Sequence, residues 1–376
     1  MATVTSAVML SACSTGRPGK GVELLEEASF QTELDGEQTG LYTLTNSNGM
    51  TVQFTNFGAR IVSLWVPSAD GMFKDVVWGF PDIQGYLRTK DNYCGPIVGR
   101  YGNRIGRGRF SIDGKEYQLP VNENGNQLHG GKGGFSTKVW KAEYVKDPEG
   151  NRVLEMKYFS PDGEEGYPGN LKICVRYSLT DANELVIDYE ADTDLPTVIN
   201  PTSHVYFNLH GTSEKSTDSH ILTIYAGNFT PTDEHLIPTG EIMPVDGTPM
   251  DFRTPKSIGK DIGSNDFEAI RFGNGYDHNW ALDKPEKFTL AAEVYEPSTG
   301  VEMKIYTDQP GLQFYAGQGM DGKEVGKRGD RHNYRSGIAL ETQNYPDAPN
   351  HENSPPAILR PGETYTQHTI YAFDVR

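Results

Sequence analysis

Cysteine is scarce in this chain, with three residues among 376. Cys13 lies near the N-terminus, so only Cys94 and Cys174 remain for the rest of the sequence. This number is too small for the disulfide framework of a small secreted domain. The sequence also has no Cys-x-x-Cys pair and no His-Glu-x-x-His motif. It therefore offers no recognised zinc spacing.

Basic residues are few relative to acidic ones. Lys and Arg number 34 against 51 Asp and Glu, which gives a formal charge of −17. Binding to a phosphate backbone requires a basic face, so we expect no nucleic-acid partner. The charge favours a neutral or cationic small ligand instead.

Long apolar stretches at helical spacing are missing, and no segment is long and apolar enough to span a bilayer. The only helical segment that we predict is a short turn after Pro81, around Asp82 to Tyr86. No internal repeat and no linker rich in Ser, Gly or Pro divides the chain. We therefore expect one compact domain.

Hairpin-type turn signals are abundant instead. Between them lie β-branched or alternating runs, such as residues 173–177 and 185–189. Turn signals every ten to twenty residues predict an antiparallel β-sandwich or barrel. The stretch from Asp321 to Arg335 and the pair Pro355-Pro356 are predicted to be surface loops. The Asn-Gly and Asp-Gly dipeptides include those that begin at Asn48, Asp70, Asp113, Asn124, Asp162, Asp246, Asn274 and Asp321.

Residues 1–28 differ from residues 29–376, which we assign to the β-domain. Leu10-Ser11-Ala12-Cys13 is similar to the lipidation box of bacterial lipoproteins, although no Lys or Arg precedes it and the apolar run is short. A truncated lipoprotein-type signal would favour the cell envelope or periplasm. A disordered leader on a cytoplasmic protein is the alternative.

Two ionisable residues, one histidine and one glutamate, stand beside apolar runs. His204 precedes Val205, Phe207 and Leu209, which alternate with polar residues as in a half-buried strand. Glu341 follows Ile338-Ala339-Leu340, at the expected end of a strand. A lone histidine is more often structural, but a His and a Glu at two strand edges are the minimum for paired acid and base chemistry.

Three further segments place polar side chains near glycines or turns. Asn103 and Arg104 lie in a Gly-rich stretch, where Arg104 could bind two ligand oxygens or form a surface ion pair. His129 precedes Gly130-Gly131, and Asp277 stands beside His278. Taken singly, His129 is better explained as a turn residue, and Asp277 is compatible with the common role of Asp as a turn cap.

Taken together, the segments are collinear with one known pattern. From about Thr39 to the C-terminus the chain resembles the aldose 1-epimerase (galactose mutarotase) family. The matching pieces are GRYGNRI, NQLHGG, SPDGEEGYPGNL, NPTSHVYFNLHG, YDHNW, QPGLQFYAG and ALETQNYPDAP.

The resemblance implies a fold and an activity. The fold would be all-β, a single large antiparallel β-sandwich of the galactose mutarotase-like supersandwich type. The activity would be interconversion of the α and β anomers of free aldoses such as glucose and galactose. No cofactor would be required, although the many carboxylates leave a structural calcium ion open. The expected partner is a monosaccharide, and the expected assembly is a monomer or a weak dimer.

The resemblance also implies roles for individual residues. Glu341 would be the general base and His204 the general acid. The remaining matched residues would hold sugar hydroxyls. One departure is Ser203, because the family motif usually has Asn before the histidine. The hydroxyl-binding residues would be Asn103, Arg104, His129, Asp277 and Gln313.

Three other functions remain as alternatives. A glycoside hydrolase would pair Glu341 with Asp277 and leave His204 and His129 without a role. A carbohydrate-binding protein without catalysis would not need Glu341. An epimerase acting on hexose 6-phosphates would need several basic residues around the phosphate, against which the charge of −17 argues.

Overall fold

The computed structural model describes residues 16–376, without residues 91, 285 and 286. The predicted lipidation box with Cys13 therefore lies outside the described residues. Residues 19–25 hydrogen-bond to the neighbouring sheet. The Gly19 N–H donates to Gly49 O at 2.9 Å and the Leu25 N–H to Gln53 Oε1 at 2.9 Å.

The regular secondary structure of the described chain is mostly β-strand, with two short α-helices. The helices are α1, Ile83–Arg88, and α2, Glu268–Gly273. In chain order, the first strands are β1 Glu33–Leu34, β2 Glu37–Gln38, β3 Leu41–Thr45, β4 Thr51–Thr55, β5 Arg60–Pro67, β6 Phe73–Asp75, β7 Ile97–Val98, β8 Arg104–Ile105, β9 Arg109–Ile112, β10 Lys115–Gln118, β11 Gln127–Leu128, β12 Lys141–Lys146, β13 Arg152–Ser160, β14 Leu171–Leu179 and β15 Glu184–Thr193. The others are β16 Thr197–Val198, β17 Thr202–Ser203, β18 Tyr206–Phe207, β19 Ile221–Ile224, β20 Asn228–Thr230, β21 Met243–Pro244, β22 Lys256–Ser257, β23 Asp277–Ala281, β24 Thr289–Glu296, β25 Val301–Thr307, β26 Gly311–Tyr315, β27 Ile338–Gln343, β28 Ile358–Leu359 and β29 Tyr365–Val375.

Three antiparallel sheets form the body of the molecule. A nine-stranded sheet has the order β12-β13-β14-β15-β29-β25-β24-β19-β22. A six-stranded sheet has the order β18-β27-β26-β23-β20-β21, and a four-stranded sheet the order β3-β4-β5-β6. The predicted antiparallel all-β fold is confirmed.

The main hydrophobic core draws on all three sheets. Leu340 of β27 and Phe314 of β26 are buried there with Tyr371 of β29, and Tyr371 Oη donates to Leu340 O at 3.3 Å. Side chains alternate between the two faces of a strand. The residues flanking Leu340 and Phe314 therefore point to the opposite face of the six-stranded sheet.

The helices agree with the sequence only in part. Helix α1 confirms the turn predicted after Pro81, and Asp82 caps it by accepting a hydrogen bond from the Gly85 N–H at 2.7 Å. Helix α2 was not predicted because six residues are too few to show helical periodicity. No helix among the described residues is long and apolar enough to cross a membrane.

Two predictions about strand positions need correction. His204 does not begin a half-buried strand. It lies between β17 and β18, and every residue from Asn200 to Leu209 is buried. Glu341 does not end its strand, since β27 continues to Gln343 and Glu341 is its fourth residue. Both side chains are consequently enclosed rather than placed at a rim.

Candidate active site

A cleft of about 330 Å³ opens on the outer face of the six-stranded sheet. Its volume falls in the range of small-molecule sites. Six of the seven predicted site residues line it, namely Asn103, Arg104, His129, His204, Asp277 and Glu341. The seventh, Gln313, contacts the cleft through Asp277, because its Nε2 donates to Asp277 Oδ1 at 2.6 Å.

The register of three neighbouring strands brings the acidic and amide groups together. Glu341 of β27 pairs with Gln313 of β26, and Gln313 pairs with Asn279 of β23. Asp277 is two residues from Asn279, so it lies on the same face. A slip of one residue in either pairing would turn these side chains into the core.

Glu341 is buried without the hydrogen bonds that usually accompany a buried carboxylate. Its residue is 1% exposed, and its Oε2 has no hydrogen-bond partner among the described residues. Burial raises the pKa of Glu341 to about 7, against the opposing effect of His204 and Arg104. A group that titrates near neutral pH is suited to act as a general base.

His204 faces this carboxylate across the cleft. Its Nε2 lies 3.6 Å from Glu341 Oε1, which is longer than a hydrogen bond. The His204 backbone N–H donates to Pro96 O at 2.8 Å. The imidazole packs against aromatic rings, with centroids 5.1 Å from Tyr206 and 5.0 Å from His129. The hydrogen bond therefore fixes the backbone of His204, while packing holds its ring.

A backbone hydrogen bond determines which ring nitrogen of His129 carries the proton. Its Nδ1 accepts a hydrogen bond from the Asn103 N–H at 3.0 Å, so the neutral ring carries its proton on Nε2. Burial lowers the pKa of His129 well below its ordinary value, and His204 and Arg104 add to the effect. His129 is consequently a neutral hydrogen-bond donor. Asn103 and His129 both adopt positive φ, 63° and 52°, a backbone region that non-glycine residues rarely occupy.

Arg104 is held between two carboxylates. Its Nε lies 3.3 Å from Glu123 Oε2 and its Nη2 lies 3.4 Å from Asp277 Oδ2. The side chain is 8% exposed, and a buried guanidinium needs such partners to offset its desolvation. Arg104 therefore forms a fixed ion-pair network with Glu123 and Asp277. Glu123 was not predicted from the sequence to be part of the site.

The ligand-type atoms of His129, His204 and Glu341 lie within 4.8 Å of one another. A metal ion would need an unprotonated ring nitrogen on each histidine. His129 Nδ1 already accepts the Asn103 N–H, and Nε2 carries the proton. A metal bound at Nε2 would move the proton to Nδ1, which could then no longer accept the hydrogen bond from Asn103. The three residues therefore fit proton transfer better than metal binding.

Further residues that sequence reasoning did not single out also line the cleft. Tyr206 and Tyr315 lie inside segments already quoted, two residues after His204 and Gln313, so the alternation of strand residues could have indicated them. Leu128 of β11 likewise lies in the quoted segment NQLHGG, directly before His129. The others come from connections whose position only the fold determines, and they are Lys90, Tyr93, Gly319 and Met320.

The fold and the cleft define a class of protein. An antiparallel β-sandwich presents a buried carboxylate with a near-neutral pKa opposite an imidazole, as expected of an enzyme that moves protons on a small polar substrate. Residues 40–372 match the aldose 1-epimerase family. The chain belongs to this family, whose members are isomerases.

Curated relatives and solved structures agree with this assignment. The chain is 43% identical over 329 residues to galactose mutarotase of Rattus norvegicus, covering 88% of this chain and 92% of the relative. It is 37% identical over 343 residues to aldose 1-epimerase of Escherichia coli K12, covering 90% and 96%. The structure of an aldose epimerase homologue from C. elegans superposes with a TM-score of 0.80 at 30% identity, covering 90% of this chain and 99% of that one.

Proposed function

We propose that this protein is an aldose 1-epimerase that interconverts the α and β anomers of free aldoses such as galactose and glucose. The observation that carries the proposal is the buried carboxylate of Glu341, whose pKa is raised to about 7, at 3.6 Å from the His204 imidazole. Its relatives named galactose mutarotase and aldose 1-epimerase support the same activity.

The chemistry uses this pair directly. Opening a pyranose removes the proton from the C1 hydroxyl, breaks the bond between C1 and the ring oxygen, and protonates that oxygen. Glu341 as carboxylate takes the first proton, and His204 as imidazolium supplies the second. After rotation about the C1–C2 bond, the two residues exchange roles and the ring closes on the other carbonyl face.

The other residues hold the open sugar while this bond turns. The Nε2–H of His129 donates a hydrogen bond to a sugar hydroxyl. Other hydroxyls of the sugar are contacted by Arg104, Asn103 and Asp277. Gln313 orients Asp277 through the bond at 2.6 Å. Orientation of this kind restricts the acyclic intermediate to conformations that can close again. The reaction requires neither a covalent intermediate nor a redox cofactor.

The geometry disfavours two of the alternatives. A glycoside hydrolase would need Asp277 as a second reacting carboxylate, but Gln313 occupies its Oδ1 and Arg104 lies 3.4 Å from its Oδ2. A hexose-6-phosphate epimerase would need several cations free for the phosphate. Of the described residues that line the cleft, two are Lys or Arg, namely Lys90 and Arg104, and Arg104 is paired with two carboxylates.

Polarimetry on freshly dissolved α-D-galactose and α-D-glucose tests the proposal. We expect the protein to accelerate the decay of rotation to its equilibrium value. The base must be ionised, so kcat/KM is expected to fall about tenfold per pH unit below the pKa of about 7 for Glu341. A decay rate equal to that of buffer alone would refute the function. A profile flat from pH 5 to 8 would remove Glu341 as the base.

A further inference from the structure

A long connection beside the cleft is the loop formed by residues 317–336. It joins β26, which carries Gln313, to β27, which carries Glu341. Its ends meet, because the Arg335 N–H donates to Gly317 O at 3.0 Å. Long loops of this kind in compact domains are commonly functional. Here Gly319 and Met320 line the cleft.

The middle of this loop is anchored by a buried lysine. The side chain of Lys327 is 3% exposed. Its Nζ donates to Val62 O at 2.7 Å and to Val77 O at 2.8 Å, and lies 2.7 Å from Asp75 Oδ2. An ammonium group has three donor hydrogens, and each finds an acceptor. The stretch predicted as a plain surface loop thus inserts a charged side chain beside β5 and β6.

Asp75 has two partners besides Lys327, one of them on the neighbouring residue of the same loop and one on β5. Arg328 Nη1 donates to its Oδ2 at 3.0 Å, and the Leu64 N–H donates to its Oδ1 at 3.0 Å. Removing the lysine charge would therefore leave Asp75 paired. This makes Lys327 open to substitution without creating an isolated buried carboxylate.

The same loop also supports the aromatic rings behind His204. His332 stacks on Trp78 with centroids 4.5 Å apart, and Trp78 Nε1 donates to Ser336 O at 3.0 Å. Trp78 lies 4.9 Å from Tyr206, whose ring is 5.1 Å from that of His204. The loop thus contacts the first ring in a chain of ring contacts that runs from Trp78 through Tyr206 to the His204 imidazole.

We propose that Lys327 is a positioning residue for the reaction, which holds the 317–336 loop so that Met320 covers the bound sugar and the Trp78–Tyr206 pair supports His204. Lys327 touches no substrate atom and acts only through these contacts. The proposal rests on the proposed epimerase function.

Lys327→Met tests the anchor, because it keeps a side chain of similar length and removes the ammonium. Lys323→Met is the matched control in the same loop, since that side chain is 83% exposed and pairs with Asp321. We expect Lys327→Met to raise KM for galactose about tenfold or more, because small displacements of positioning groups have large kinetic effects. The Lys323→Met variant is expected to keep the wild-type KM and kcat.

The separation of KM from kcat distinguishes positioning from simple loss of folded protein. Partial unfolding lowers the concentration of active enzyme, so apparent kcat falls while KM stays constant. A KM for Lys327→Met within about twofold of wild type would therefore overturn the proposal. If Lys327→Met alone does not fold, the double variant Lys327→Met with Asp75→Asn removes both charges and is judged by the same criterion.

A double-mutant cycle tests the route. If Lys327 acts by placing Met320, Met320→Ala raises KM in the wild type but changes it little in Lys327→Met. Additive effects would show that Lys327 does not act through Met320 and would overturn the proposal.

A calorimetric titration with galactose separates this proposal from the function on which it rests. If the wild type does not accelerate mutarotation, the proposed function fails. The anchor is then judged by galactose affinity alone. Weaker binding by Lys327→Met than by Lys323→Met supports it, and equal affinities overturn it.

Discussion

Two side-chain clusters in this molecule have the same composition, two histidines and one glutamate. The active-site cluster contains His129, His204 and Glu341, and the second cluster contains His210, His220 and Glu296. Glu341 and Glu296 are 1% and 2% exposed. Their carboxyl groups nevertheless behave in opposite ways, since the pKa of Glu341 is raised and that of Glu296 is lowered.

The difference lies in the hydrogen-bond donors around each carboxylate. Glu296 Oε1 accepts the Ser298 N–H at 2.9 Å, and Oε2 accepts from Ser219 Oγ at 2.9 Å. The Nδ1 of His220 lies 3.1 Å from Oε2. Burial alone would raise the pKa of Glu296, but the donors His220 and Ser298 outweigh it and lower the pKa.

In both clusters a backbone N–H determines which ring nitrogen of one histidine carries the proton. His220 Nε2 accepts the Leu209 N–H at 2.9 Å, as His129 Nδ1 accepts that of Asn103. The proton of neutral His220 is thereby placed on Nδ1, toward Glu296. Burial is therefore common to both sites, while the supply of donors decides which glutamate is left able to take a proton.

The largest expected effect is on activity. Glu341→Gln should lower kcat by about 10²–10⁴-fold, because the amide cannot accept the C1 hydroxyl proton. Glu296→Gln is the matched substitution in the second cluster and should keep the wild-type kcat at temperatures well below its Tm. Polarimetry on both variants checks this. Similar kcat values for the two variants would abolish the functional distinction between the clusters.

The next effect concerns stability, and the same pair of substitutions should act with opposite signs. At pH 8, Glu341→Gln should raise the free energy of unfolding by about 1–3 kcal/mol, because it removes a carboxylate whose pKa is about 7 in the folded state. Glu296→Gln should lower it by about 1–3 kcal/mol, because it removes a well-bonded carboxylate. Urea unfolding of both variants measures these changes.

The pH dependence of these differences separates the two causes. The folded pKa of Glu341 lies above its unfolded value, so its destabilising effect grows as pH rises from 4.5 to about 7. Most of the gain from Glu341→Gln should therefore vanish at pH 5. The folded pKa of Glu296 lies below 4.5, so its contribution persists at pH 5 and is lost only at lower pH. Parallel pH profiles for the two variants would contradict this account.

The smallest expected effect is on the free energy of unfolding, and it concerns one serine beside each cluster. Ser219 Oγ donates to Glu296 and lies 3.2 Å from His210 Nε2. The Oγ of Ser203, which precedes His204, is buried without a hydrogen-bond partner among the described residues. Ser219→Ala should lower the free energy of unfolding by about 1 kcal/mol, and Ser203→Ala by less than about 0.5 kcal/mol. Equal losses in urea unfolding would show that Ser203 makes a stabilising contact.

Much of the fold was predictable because it depends on local patterns. Turn dipeptides and alternating strands indicated an antiparallel all-β domain, and Asp82 marked the start of α1. Helix α2 was not predicted because six residues carry too weak a periodic signal. The anchoring of Lys327 could not be predicted because its acceptors Val62, Asp75 and Val77 are some 250 residues away in the chain.

The candidate site was predictable in its membership but not in its chemistry. Sequence motifs singled out Glu341 and His204, and the roles of these residues stay predictions until the variants are measured. The apolar run of residues 338–340 placed Glu341 at the end of a strand, but it could not show that the strand runs on to Gln343 or that the carboxylate is enclosed. The register that puts Asp277, Gln313 and Glu341 on one surface likewise arises from pairing between distant strands.

The sequence by itself determined the class of fold and the residue types available for acid and base chemistry, because turns, alternation and motifs are local properties of the chain. Only the tertiary structure decided which of two buried glutamates is left with a near-neutral pKa. That choice depends on donors brought in from other strands, since the free energy of a buried carboxylate is set by the hydrogen bonds and charges within a few ångströms of its oxygens. Glu296 is supplied with such donors, whereas Glu341 keeps one oxygen unpartnered among the described residues.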